Sequence, residues 1–136
     1  MTLTDAGPLV ALIDGSDPHH TKCLEATKQF PKEPLLTTWP CFTEAMYLLD
    51  RNLGHAGQAS LWQLYQAGRL VLLELSAGEI VRMIILMEKY RDTPMDLADA
   101  SLIVAAERFG MKRVFTLDGD FLVYRLADGS ALEVAP

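Results

Sequence analysis

Apolar positions fall into short blocks along the chain, and their spacing switches between that of a strand and that of a helix. Residues 2–5, 35–38, 70–75, 113–117 and 131–134 are brief runs with the form of strands, and 70–75 (LVLLEL) reads as buried. Helical segments lie between them. Residues 9–13 follow Gly7-Pro8, and proline is tolerated in a first helical turn. Residues 20–30 are polar-faced. Residues 41–53 are apolar at 42, 45, 46, 48, 49 and 53, close to helical spacing, and Gly54 stops them. Residues 58–67, 77–90 and 97–109 complete the set, the last ended by Gly110, and the Met/Ile/Leu stripe of 77–90 reads as core. Residues 31–34 and 90–94 read as loops. Strands separated by helices need crossover connections, so the chain is assigned to the α/β class with a mostly parallel sheet.

Composition narrows the class. With 136 residues, the chain is expected to form a single domain over residues 1–136. Folding would bury roughly 68% of the unfolded surface, enough for a core without disulfides. At 50% hydrophobic and 22% charged residues it is neither a disordered chain nor a disulfide scaffold. No apolar run reaches the roughly 18 residues of a membrane span, and Met-Thr-Leu-Thr-Asp lacks a basic leader region, so a cytoplasmic protein without membrane association is expected. Cys23 and Cys41 lack metal-type spacing and are expected to be reduced, partly buried thiols. His19-His20 lie in a polar stretch and read as surface residues.

The charge is uneven in a way that matters. In an open parallel sheet, sites form beyond the carboxyl ends of the strands. Asp5 ends the first predicted strand, and Asp118 follows Val114-Phe115-Thr116-Leu117, with Gly119-Asp120 next. Each alone could simply cap the following turn. Asp96 is placed as a helix N-cap. Asp99 lies three residues on, in a helix with little other polar surface, and Glu44 is a single acid among apolar neighbours. Converging carboxylates repel one another and raise each other's pKa, and a lone buried one is costly unless paired or coordinated. A divalent cation would resolve the repulsion, and an all-oxygen donor set suits Mg²⁺ or Mn²⁺. The net charge is −6; without Asp5, Glu44, Asp96, Asp99, Asp118 and Asp120 the chain carries 12 acidic and 12 basic residues. The whole excess fits in one site.

These blocks resemble the PIN domain family, in particular its VapC-type toxin branch. Asp5-Ala6-Gly7-Pro8-Leu9-Val10-Ala11-Leu12, followed by Asp17-Pro18-His19-His20, resembles the first family block. Glu44 stands at the second acidic position, Met95-Asp96-Leu97-Ala98-Asp99-Ala100 resembles the third block, and Thr116-Leu117-Asp118-Gly119-Asp120-Phe121 the fourth. Each block is weak alone; their order and spacing over residues 5–121 are specific. The resemblance implies a Rossmann-like α/β/α sandwich and a Mg²⁺/Mn²⁺-dependent ribonuclease. It makes Asp5, Glu44, Asp99 and Asp118 the catalytic, metal-binding cluster, with Asp96, Asp120 and the Thr116 hydroxyl auxiliary. It also implies a VapB-like antitoxin partner and a homodimer. One departure stands out: Ala6 occupies a position where the family often has Thr or Ser, so a supporting hydroxyl is missing.

The implied reaction is metal-assisted phosphodiester hydrolysis, with Arg51, Arg91, Lys112, Arg113 and Arg125 as candidates to position phosphates. The alternative is a catalytically weak PIN module acting by protein contact, with the apolar stretches 42–53 and 61–65 as dimer or antitoxin surface. A receiver domain is disfavoured because Asp5 stands alone and Lys112 precedes its strand. A haloacid-dehalogenase-type phosphatase would need an Asp where Gly7 stands, and no Gly-rich phosphate loop is present.

Overall fold

A computed structural model describes residues 1–136. Five short strands form one parallel sheet: β1 (Thr2–Thr4), β2 (Leu35–Thr38), β3 (Leu70–Leu73), β4 (Arg113–Phe115) and β5 (Glu133–Ala135). Their spatial order is β3-β2-β1-β4-β5. Six helices connect them: α1 (Ala6–Ile13), α2 (His20–Thr27), α3 (Trp39–Leu53), α4 (His55–Gln66), α5 (Ala77–Lys89) and α6 (Leu97–Phe109). A 3-10 turn, Gly119–Leu122, follows β4. No helix is long and apolar enough to cross a membrane.

Strand alternation sorts the helices into two layers. Leu3, Leu36 and Val114 point into a core shared with Met83 and Leu86 of α5 and with Leu102, Ile103 and Ala106 of α6. On the other face Leu9, Phe42, Leu49 and Leu61 pack α1, α3 and α4 together, with Leu70 of β3 joining them. Phe115 meets Ala11 and Cys23 there, and Phe30 stacks edge-on against it at 5.0 Å. The result is an α/β/α sandwich. Both cysteines are free, and both are fully buried where partial burial was expected. His19 is exposed, while His20 is partly covered because its Nδ1 lies 2.6 Å from the Ala11 carbonyl.

Three expectations need correction. The 70–75 run ends as a strand at Leu73, and Val71 is exposed, because β3 is the sheet edge and one of its sides meets solvent. The stripe on α5 is only half core: Met83 and Leu86 are buried, whereas Ile80, Val81, Ile84 and Ile85 are each more than half exposed. The last strand lies at 133–135 instead of 131–134, drawn there by pairing with β4 from Arg113 to Phe115. Helix ends follow local chemistry. Gly54 adopts φ +68 and separates α3 from α4, and a Cβ on Gly57 would sit 2.9 Å from the Leu49 carbonyl oxygen, so glycine permits the close α3–α4 approach.

Candidate active site

The strand order reverses direction between β1 and β4. The chain winds outward from β1 through β2 to β3, then returns to β4 beside β1. In open parallel sheets such a switch point opens a crevice at the carboxyl ends of the two central strands. Asp5 follows β1 directly. Because Thr4 is in register with Phe115, Asp5 comes level with Thr116, and its backbone N–H donates to the Phe115 carbonyl at 2.9 Å.

Asp5 is buried at 9% exposure and works first as the N-cap of α1: its Oδ1 accepts from the Ala6 N–H at 2.8 Å. Its Oδ2 accepts from the Thr116 hydroxyl at 2.9 Å, and that hydroxyl oxygen accepts from the Asp118 N–H at 3.0 Å. Thr116 thus links the first and last acids. With Ala6 lacking a hydroxyl, Thr116 is the side-chain hydroxyl that serves Asp5, and the Cys41 thiol approaches Oδ1 at 3.8 Å. Burial raises the Asp5 pKa despite the bonds from Ala6 and Thr116, and Asp96 and Asp118 raise it further.

Asp96 and Asp99 form a reciprocal capping box at the start of α6. Asp96 Oδ1 accepts from the Asp99 N–H at 2.8 Å, and Asp99 Oδ2 accepts from the Asp96 N–H at 3.2 Å. Asp96 is exposed but Asp99 is buried. Burial, together with the charges of Asp96, Asp5 and Asp118, pushes the Asp99 carboxyl up to about 7. Glu44, one turn after Cys41 on α3, is exposed, which corrects the expectation of a buried lone carboxylate. Partial desolvation still raises its pKa, and Asp5, Asp96 and Asp118 add to this. Asp118 Oδ1 accepts from the Asp120 N–H at 2.9 Å and so caps the 3-10 turn, while the Asp120 carbonyl accepts from the Tyr124 N–H at 3.3 Å.

The expected acids are therefore brought within electrostatic reach of one another. They are not drawn into a ready-made cage: no three His, Cys, Asp or Glu side chains are grouped closely enough to hold a metal ion. Asp99 and Asp118 each turn one oxygen to a backbone N–H, which keeps the carboxylates apart. None of Asp5, Glu44, Asp96, Asp99 or Asp118 has a basic partner, since all six ion pairs of the chain lie elsewhere. An uncompensated, all-oxygen anionic set is the donor chemistry that suits a hard divalent cation.

The predicted phosphate-positioning cations fare less well. Lys112 and Arg113 lie at the amino end of β4, opposite the acids, and Arg113 pairs with Glu133. Arg91 pairs with Glu88, and the Arg125 guanidinium donates to the carbonyls of Leu122, Val123 and Tyr124. A cavity of about 760 Å³ is lined by Leu12, Leu24, Phe30, Leu35 and Leu70 and by none of the candidate site acids. Pattern reading missed two polar contacts. A buried relay runs from the Thr38 hydroxyl to Ser101 at 2.6 Å and on to the Ala98 carbonyl at 2.7 Å, tying the start of α3 to the first turns of α6. The Tyr124 hydroxyl reaches Asp99 Oδ2 at 3.3 Å. Ser101, as a polar residue inside an apolar helix, was a visible hint of the first; Tyr124 had no local signal.

A parallel α/β/α sandwich with acids at its switch point is the architecture of a PIN-type domain. No known protein-family profile matches the chain. It is 25% identical over 138 residues to Ribonuclease VapC26 of Mycobacterium tuberculosis, a match that takes in 98% of this chain and 99% of that one. The crystal structure of Mycobacterium tuberculosis VapC20, described as a sarcin-ricin loop cleaving toxin, superposes with a TM-score of 0.85 over 100% of both chains at 17% identity. A toxin–antitoxin complex from Klebsiella pneumoniae gives 0.68 at 19% identity, over 89% of this chain and 90% of that one. Both likenesses are to VapC-type proteins, the same branch of the PIN family that the acidic blocks resemble.

Proposed function

We propose that this chain is a divalent-metal-dependent endoribonuclease, the toxin of a VapBC-type pair. The observation that carries this reading is the set of carboxylates without basic partners at the β1/β4 switch point. The whole-length likeness to Ribonuclease VapC26 supports RNA as the substrate. Asp5, Glu44, Asp99 and Asp118 would hold Mg²⁺ or Mn²⁺, with Asp96 and Asp120 auxiliary. Such an ion supplies Lewis acidity at the phosphodiester and offsets the negative charge that would otherwise repel RNA. Thr116 holds Asp5 through its hydroxyl and the Asp118 segment through its oxygen, so both acids keep a common orientation. The capping box fixes Asp99 on the first turn of α6, and the Thr38–Ser101 relay keeps that turn against α3, which carries Glu44. Asp120, bonded through its N–H to Asp118, orders the turn that follows.

The same reading includes a cytoplasmic location, where the RNA is, and a VapB-like antitoxin, supported by the toxin–antitoxin complexes among the structural neighbours. A homodimer is part of it as well, since α3 and α4 expose Trp39, Tyr47, Leu53, Trp62 and Tyr65. The test is cleavage of total RNA by wild type and Asp5→Asn, with Mn²⁺ or Mg²⁺ and with EDTA. Cleavage by the wild type alone, and only with metal, is expected. Cleavage that persists in EDTA or in Asp5→Asn would overturn the metal-carboxylate reading; a folded wild type inactive on every RNA offered would favour the non-catalytic PIN module.

A further inference from the structure

Two separate segments bring acids to the site, the 3-10 turn after β4 and the first turn of α6, and one side chain spans them. Tyr124 follows the 3-10 turn and is 1% exposed. Its hydroxyl is directed at Asp99 Oδ2, 3.3 Å away, and at the Pro94 carbonyl, 3.4 Å away. A phenol has a single hydrogen, so these two acceptors share a long bond. The Asp96 N–H reaches the same Oδ2 at 3.2 Å. Two donors therefore converge on one Asp99 oxygen, and no protein donor reaches Oδ1.

The ring itself is immobilised. Tyr124 packs edge-on against Phe121 at 5.2 Å and against Tyr90 at 5.1 Å. The Tyr90 hydroxyl in turn accepts from the Arg125 N–H at 3.0 Å, which pins the backbone on the far side of Tyr124. Packing of this kind leaves the hydroxyl little freedom to move away from the start of α6.

We propose that Tyr124 is a positioning residue for Asp99, holding Oδ2 so that Oδ1 is the oxygen left for a divalent cation. This rests on the metal-dependent nuclease reading above. Partners of this type around a metal ligand typically change metal affinity by about 10–100-fold when removed.

Tyr124→Phe tests the idea in the full chain, because it keeps the ring contacts and deletes only the hydroxyl. Mn²⁺ would be titrated against melting temperature, and kcat and KM for RNA measured in parallel, beside wild type and Asp99→Asn. The expected result is a melting temperature in EDTA close to wild type, a half-saturating Mn²⁺ concentration raised about tenfold, and a lowered kcat with KM unchanged. Excess Mn²⁺ should recover most of the kcat. A Tyr124→Phe protein with the wild-type Mn²⁺ midpoint and kcat would overturn the role while leaving the nuclease reading intact. A lower melting temperature in EDTA with an unchanged Mn²⁺ midpoint would make Tyr124 a packing residue and also overturn it. A wild type that neither cleaves RNA nor responds to Mn²⁺ would remove the premise and the proposal together.

Discussion

Asp99→Asn should stabilise the metal-free protein at the same time as it abolishes cleavage. The Asp99 carboxyl is pushed from 3.8 to about 7, by burial first and by Asp96, Asp5 and Asp118 after that. The folded state therefore holds this proton more tightly than the unfolded chain. Stability on this account is fully present below about pH 4 and is lost as the pH rises through about 7. At about 1.4 kcal/mol per pH unit, the difference corresponds to roughly 4 kcal/mol at pH 8. Screening by solvent, which reaches the site through the exposed Glu44 and Asp96, reduces this to about 2 kcal/mol. The side-chain amide introduced by Asp99→Asn can still accept from the Asp96 N–H through its carbonyl, so the capping box survives on that side. For a chain of this size about 2 kcal/mol corresponds to roughly 6–8 °C in melting temperature. Thermal melts in EDTA followed by circular dichroism would measure it. The variant should melt higher than wild type at pH 8, and the gap should close toward pH 4, where the native carboxyl is neutral. Millimolar Mn²⁺ should raise the wild type and leave the variant nearly unmoved. A variant that melts at or below wild type at pH 8, or a gap that ignores pH, would refute the argument that unmatched charge is concentrated at Asp99.

Two other substitutions probe the frame around the acids. Thr116→Ala removes the donor to Asp5 Oδ2 and the acceptor of the Asp118 N–H. Stranding a buried polar group costs about 1–3 kcal/mol, so a lower melting temperature and at least tenfold slower RNA cleavage are expected; cleavage at the wild-type rate would show that Asp5 needs no such anchor. Lys112→Ala alters an exposed residue at the amino end of the sheet and should leave kcat and KM within about twofold, whereas a large rise in KM would put RNA on that edge.

The sequence by itself determined the element order and the α/β class, and it marked the acids that the fold gathers near one another. Periodicity and punctuation are local properties, so the apolar spacing of 41–53, the Gly54 and Gly110 stops and the crossover logic all carried through to the folded chain. Asp5 was legible as a strand-end residue for the same reason, whereas β4 stops at Phe115, short of the predicted 113–117, and Asp118 caps the 3-10 turn beyond it. What only the tertiary structure decided was which strands are neighbours and which faces are covered. The β1/β4 adjacency sets Asp5 beside Thr116, a contact across 111 positions that no local pattern encodes. The edge position of β3 exposes Val71 in a run that reads as buried, and half of the α5 stripe finds no partner within this chain. Glu44 reads as a lone acid among apolar neighbours; on the folded chain it is exposed to solvent and still close enough to Asp5, Asp96 and Asp118 to feel their charge, a placement only the packing of α3 decides. Tyr124 was invisible for the complementary reason: an aromatic near a chain end looks like any core residue until the fold carries its hydroxyl to Asp99. Local chemistry decides what each segment becomes; long-range packing decides which of its polar atoms meet.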